Sequence, residues 1–98
     1  MTLSWTLRAV KSYFAVADYL QKKWGHQVVI NFTNEVDRVI HEISENPQIF
    51  EASKKSVYIR KGLITEHNTM FYRIKPRKNE IEILLFWDNR RDDKKRPY

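Results

Sequence analysis

The spacing of apolar residues changes twice along the chain. In "TLSWT", Leu3 and Trp5 alternate with polar neighbours, which predicts a short strand. From Leu7 the spacing becomes helical: Leu7, Val10, Phe14, Ala17, Leu20 and Trp24 recur at three and four, and Tyr13 and Val16 widen the stripe. Thr6 stands where a helix cap is wanted, and Gly25 where a left-handed stop is wanted. A second stripe follows at once through Val29, Phe32, Val36, Val39 and Ile43, broadened by Ile40. Asn46-Pro47 ends it, because the residue before proline avoids the helical region. So short a link at Gly25 folds the two helices into an antiparallel hairpin.

After the polar segment "EASKKS", expected as a loop, the period becomes two. "VYIRKGLIT", "TMFYRIK" and "EIEILLFW" are rich in β-branched and aromatic residues, and "EHN" and "PRKN" separate them as turns. Three strands with short links form an antiparallel meander. Gly62 is expected to mark a bulge in the first of them. Leu84, Leu85, Phe86 and Trp87 make the last strand apolar on both faces, as a central or well-covered strand requires. The fold class is therefore α+β, in the order β-α-α-β-β-β: one small, mostly antiparallel sheet with the helical hairpin on one face. The hairpin should bury Phe14, Leu20, Phe32, Val36 and Ile43 against the sheet. Alternation sends Met70, Tyr72 and Ile74 toward the helices and Phe71, Arg73 and Lys75 to the other face, which no remaining helix covers.

With 98 residues the chain suits a single domain spanning 1–98. No cysteine is present, which excludes a disulfide framework and thiolate chemistry. The N-terminal residues lack a basic region followed by an apolar one, so no signal peptide is read. No apolar run is long enough to span a bilayer, and a cytoplasmic protein without a membrane partner is expected. Charge changes the picture more. The net charge is +6, and it is unevenly spread. Residues 1–53 carry five basic side chains against six acidic ones, whereas residues 54–98 carry thirteen against six. Such asymmetry points to an anionic partner for the second half, either nucleic acid or an acidic protein segment.

Most candidate chemistry is absent. "HEISE", from His41, has the start of a zinc-helix motif, but Glu45 stands where the second imidazole must be. His26 and His67 fall at presumed surface positions, a helix start and a turn. No metal or cofactor is expected, and there is no glycine-rich phosphate loop or serine nucleophile motif. What remains is basic residues interleaved with aromatics: Lys54 and Lys55 before Tyr58, then Arg60 and Lys61; Tyr72 beside Arg73; Trp87 before Arg90 and Arg91, with Lys94, Lys95 and Arg96 beyond. Arginine forks suit phosphate oxygens, and aromatic rings stack on bases or cover an arginine.

"ADYLQKKWG", "NPQIFEASKK", "ITEHNTMFYRIK" and "IEILLFWDNRRDDKK" together resemble the RelE/ParE superfamily of bacterial toxins, also labelled plasmid stabilisation proteins. The likeness covers nearly the whole chain in one order, and "FYRIK" and "EILLFWDNRRD" carry most of it. The resemblance implies the toxin half of a type II toxin–antitoxin pair, held by a cognate antitoxin whose acidic segment crosses the basic open face. It also implies one of two targets. Some members are endonucleases acting on ribosome-bound message, in which a 2′-hydroxyl attacks the neighbouring phosphate, and others inhibit DNA gyrase. By the resemblance, Arg73, Arg90 and Arg91 occupy the catalytic, phosphate-stabilising positions, and Lys54, Lys55, Arg60 and Lys61 extend a substrate-binding cradle. The acid–base partner of the nuclease members has no match. No histidine follows His67, and Tyr98 is the only tyrosine beyond the last strand. Growth arrest by ribosome-dependent message cleavage is the expectation, with non-catalytic gyrase inhibition or a basic RNA-binding module without toxicity as the alternatives.

Overall fold

The computed structural model describes residues 1–98. Strand β1 spans Thr2–Trp5, helix α1 Leu7–Trp24 and helix α2 His26–Glu45. The Thr6 side chain accepts the Ala9 amide at 3.0 Å, satisfying one of the orphan donors of the first turn. Gly25, at φ 94°, donates its amide to the carbonyls of Leu20 and Gln21 and so lets α2 start one residue later. That left-handed φ is the conformation in which glycine carries no steric penalty. Asn46 is extended and ends α2 before Pro47, as expected.

The sheet has strands β2 (Ala52–Ser53), β3 (Ser56–Thr65), β4 (Asn68–Lys75) and β5 (Glu80–Asp88), in the spatial order β1-β5-β4-β3-β2. β3, β4 and β5 form the antiparallel meander, and β1 joins β5 in parallel at the edge. The β4–β5 link is a 3-10 turn at Pro76–Lys78 closed by Asn79 in the left-handed region, φ 50°. The "EASKKS" segment is not wholly a loop, because Ala52–Ser53 pairs with β3. Gly62 does not bulge the strand. A Cβ there would lie 3.1 Å from the Val39 side chain and 3.3 Å from the Phe50 ring, so the residue is small because α2 and the 47–50 link press on it. The register shifts fall elsewhere, between Leu63 and Thr65 of β3 and between Phe71 and Tyr72 of β4. At the second, Tyr72 faces Ile83 and Phe71 faces Leu85, which leaves Leu84 as the extra residue of β5. This bulge explains the doubly apolar end of the strand: Ile83 and Phe86 join the helix-side core, while Leu84, Leu85 and Trp87 join the opposite face.

Phe32, Val36, Val39 and Ile43 of α2 meet Met70, Tyr72, Ile74, Ile81, Ile83 and Phe86 on the helix side, with Leu20 packed against them. Full burial of each such side chain is worth about 1.5–3 kcal/mol. Phe14 is not part of this core. It is 58% exposed, and Leu7 and Trp24 are exposed with it. The apolar stripe read on α1 is wider than the face the sheet covers; only Ala9 of α1 is fully buried, backed by Tyr13, Val16 and Leu20. The face expected to be open is not bare. The segment after β5 crosses it, placing the Tyr98 ring 5.5 Å from Phe71 and the Tyr98 carbonyl 3.0 Å from the Ser53 hydroxyl, which donates to it. Phe71 is thereby 0% exposed.

Candidate functional site

The face opposite the helices divides into an apolar zone and a charged zone. Ile59, Phe71, Leu84, Leu85 and Trp87 form the apolar zone beneath Tyr98. The charged zone lies toward the β4–β5 turn, where Arg73 sits across from Glu82 with Nη1 3.6 Å from its carboxylate. Lys75 reaches the same carboxylate at 3.3 Å. One acid therefore steadies two cations. Arg77 and Lys78, on the turn itself, have no acidic partner. These residues border a shallow groove of about 550 Å³ that also takes in Ser56, Tyr58 and Ile59. Its lining is cations and hydroxyls without an imidazole, and the one carboxylate against it is Glu82, behind Arg73 and Lys75.

Arg90 and Arg91 are elsewhere. Asn68 lies opposite Asp88 and Arg73 opposite Glu82. At about 3.3 Å per residue the two pairs stand roughly 17 Å apart along β4. Arg90 grips Asp88 bidentately, Nε at 3.0 Å and Nη2 at 2.9 Å, and holds that carboxyl below the usual carboxylate range, chiefly through this hydrogen bond. Its guanidinium also stands 5.6 Å from the Tyr19 ring on the helix side. The Lys23 ammonium donates to the Tyr19 hydroxyl at 3.1 Å, and that bond, joined by the charges of Lys23 and Arg90, pulls the phenol below its ordinary value. Arg91 places its guanidinium over Trp87, 4.4 Å from the ring centroid.

The expected cradle also separates. Lys54 and Lys55 are exposed at the β2–β3 turn. Lys61 points to the same face as Phe71 and pairs loosely with Glu51, at 3.8 Å. Arg60 faces the helix side, where it stands across from Tyr72 and donates to the Phe50 carbonyl at 3.1 Å. Beside it the Tyr72 hydroxyl donates to the Pro47 carbonyl at 2.6 Å. Arg60 thus ties the 47–50 link to the sheet and belongs to the fold, not to a surface cradle. His41 is exposed on α2 and pairs with Glu45 at 3.2 Å, and His67 with Glu66 at 3.1 Å. No cluster of three or more histidine and acidic residues is placed to hold a metal ion.

Sequence reasoning missed Glu82, and it grouped Tyr58 with Lys54 and Lys55 without placing it beside Arg73. The alternation of "EIEILLFW" puts Glu82 on one face, but its register against Arg73 is set by the Pro76–Lys78 turn, which pairs Lys75 with Glu80, and alternation does not reveal that pairing.

Residues 3–93 match the family described as the ParE toxin of the type II toxin-antitoxin system, parDE. No curated protein matches the chain by sequence. Among solved structures, the chromosomal ParDE system from P. aeruginosa superposes with a TM-score of 0.71 at 20% identity, covering 90% of this chain and 95% of that one. A YoeB/ParE toxin from Agrobacterium tumefaciens gives 0.69 at 17% identity, covering 91% and 99%. The intact E. coli RelBE toxin–antitoxin complex gives 0.64 at 17% identity, covering 92% and 98%. Structural likeness at such identities carries the fold.

Proposed function

The chain belongs to the ParE toxin family of type II toxin–antitoxin systems, and from that premise we propose that it arrests growth by binding DNA gyrase without cutting nucleic acid. One observation carries this reading: the arginines that message cleavage needs together lie at two ends of β4. Attack of a 2′-hydroxyl on its phosphate requires a base, an acid and cations around one crowded centre. Arg73 stands roughly 17 Å by strand spacing from the Arg90–Asp88 pair. No imidazole lines the groove around Arg73, and the carboxylate beside it, Glu82, is shared by Arg73 and Lys75. A binding surface has no such requirement, because separated cations each add to complementarity with an acidic partner.

A cognate antitoxin is the second partner, as it is for RelE, which has been solved with its antitoxin. An acidic antitoxin segment would meet Arg73, Lys75, Arg77 and Lys78, and the exposed edges of β1 and β2 offer unpaired backbone groups to an added strand. Its affinity falls with salt while apolar contacts keep it from vanishing.

The test adds purified protein to a gyrase supercoiling reaction and, in parallel, to ribosomes bearing message, with primer extension as the readout. Inhibited supercoiling with intact message is expected. Cut message with normal supercoiling overturns the reading in favour of a nuclease. That second reading draws on Ser56 and Tyr58, whose hydroxyls share the groove with Arg73. Induced expression without growth arrest overturns both and leaves a basic RNA-binding module.

A further inference from the structure

The first half of the chain is slightly acidic overall, yet it sends two cations to the place where Arg91 lies. Arg8 and Lys11, one turn apart on the first face of α1, line a groove of about 660 Å³ with Arg91 and Trp87. No Asp or Glu lines it. None of the three cations has an ion-pair partner. Of the acids nearest in sequence, Asp88 is engaged by Arg90 and Asp92 by the amide of Lys94, while Asp93 is exposed and outside the groove lining. The Arg91 guanidinium is held over the Trp87 ring, 4.4 Å from its centroid, which restricts the fork before any ligand arrives. Trp87 is 2% exposed, and its Nε1 has no acceptor. The first turn of the 18-residue α1 carries no acidic side chain, so its positive end adds to the same field.

The geometry points to a phosphate-binding site at the start of α1, formed by Arg8, Lys11 and Arg91 against Trp87. It is separate from the Arg73 groove and goes beyond the proposed mode of arrest, because it stands whichever target is engaged. Phosphate, rather than a single carboxylate, suits three unpaired cations that converge without a counter-charge, one of them a restricted fork. The phosphate has two sources, a free nucleotide or a nucleic-acid backbone, and the experiment separates them.

The ¹⁵N-labelled protein, free of any antitoxin, is titrated at constant ionic strength with inorganic phosphate, with a mononucleotide, and with a single strand of about ten nucleotides, within the usual site size for such strands. The Trp87 indole N–H resonance and the amides of Arg8, Lys11 and Arg91 are followed. They should move together and saturate. The double variant Arg8→Gln/Lys11→Gln should lose the response to phosphate and bind the strand at least tenfold more weakly, while Lys54→Gln/Lys55→Gln should not. Arg8 and Lys11 are exposed, so both variants should keep the core resonances of the parent. Tighter binding of the strand than of the mononucleotide identifies a backbone phosphate, and equal binding identifies a free nucleotide. Shifts spread evenly over Lys54, Lys55, Arg77 and Lys78 without saturation overturn the site. So does a glutamate-rich peptide of equal charge that displaces the strand at the same concentration, because the groove then serves an acidic protein.

Discussion

Arg73 faces Glu82 directly across the β4–β5 ladder, and Lys75 shares that one carboxylate. The arginine is therefore restrained but not neutralised, since two cations divide one acid. Its side chain is 41% exposed, so the pair is screened and steadies geometry more than the fold. Replacing Arg73 with alanine should change stability by no more than about 0.5 kcal/mol. If Arg73 contacts the target, growth arrest at matched soluble levels should weaken well beyond that change. Full toxicity in a folded Arg73→Ala protein removes Arg73 from the functional surface.

Glu82→Gln gives the converse case. It keeps the shape of the side chain and frees both cations, so binding to an acidic antitoxin segment should tighten and its salt dependence steepen. Titration calorimetry at two salt concentrations reads both. Unchanged affinity at low salt would mean that the partner docks away from this groove.

The two phenylalanines of the hairpin should respond in opposite ways. Phe32 is buried between Tyr13, Phe86 and the sheet, so Phe32→Ala should cost about 3–5 kcal/mol. Phe14 is largely exposed, and Phe14→Ala should stay within about 0.5 kcal/mol. Chemical denaturation of the two variants checks the difference, and equal losses would contradict the packing of α1.

Tyr72 makes stability depend on alkaline pH. Burial pushes its phenol from 10.0 up to about 12, against the opposing charge of Arg60. The unfolded chain ionises this group near 10, so between about 10 and 12 the folded state holds the extra proton. Stability is then full below pH 10 and falls as pH rises toward 12, by about 2–3 kcal/mol over the two units. Tyr72→Phe should remove this part of the alkaline slope. It also leaves the Pro47 carbonyl without its donor, at a cost of about 1–3 kcal/mol at neutral pH. Denaturation midpoints at pH 8 and pH 11 for both proteins test the sign.

Periodicity made the elements legible. The caps at Thr6 and Gly25, the stop at Asn46-Pro47 and the inward set Met70, Tyr72, Ile74 all stand where local patterning put them. What patterning could not supply was anything that depends on register or on distant chain. The Leu84 bulge shifts which of the residues beyond it on β5 face outward, and the register of the Pro76–Lys78 turn brings Glu82 to Arg73. Arg60 reads as a surface cation in a strand, yet its face is fixed by the Phe50 carbonyl, ten residues away along the chain. Arg8 and Lys11 gave no signal at all, because only the folded chain brings α1 beside Arg91.

The segment that crosses the sheet provides the last test. Phe71 has no exposure, and what covers it on the outer side includes the Tyr98 ring and the Arg96 guanidinium, 5.5 Å and 5.6 Å from its own ring. The Ser53 hydroxyl fixes the far end of that segment by donating to the Tyr98 carbonyl. Tyr98→Ala removes an aromatic pair worth about 0.5–1.5 kcal/mol beyond the area it buries. It also uncovers an apolar floor of Ile59, Phe71 and Leu85. Stability should therefore fall by about 1–3 kcal/mol, below the cost of a fully enclosed core aromatic, because Tyr98 is itself only part-buried. Binding of a hydrophobic dye should rise at the same time, since the uncovered residues lie together on one face. Tyr98→Phe keeps the ring and should restore both readings. A Tyr98→Ala protein with unchanged stability and no gain in dye binding would mean that the segment does not hold the face closed in solution.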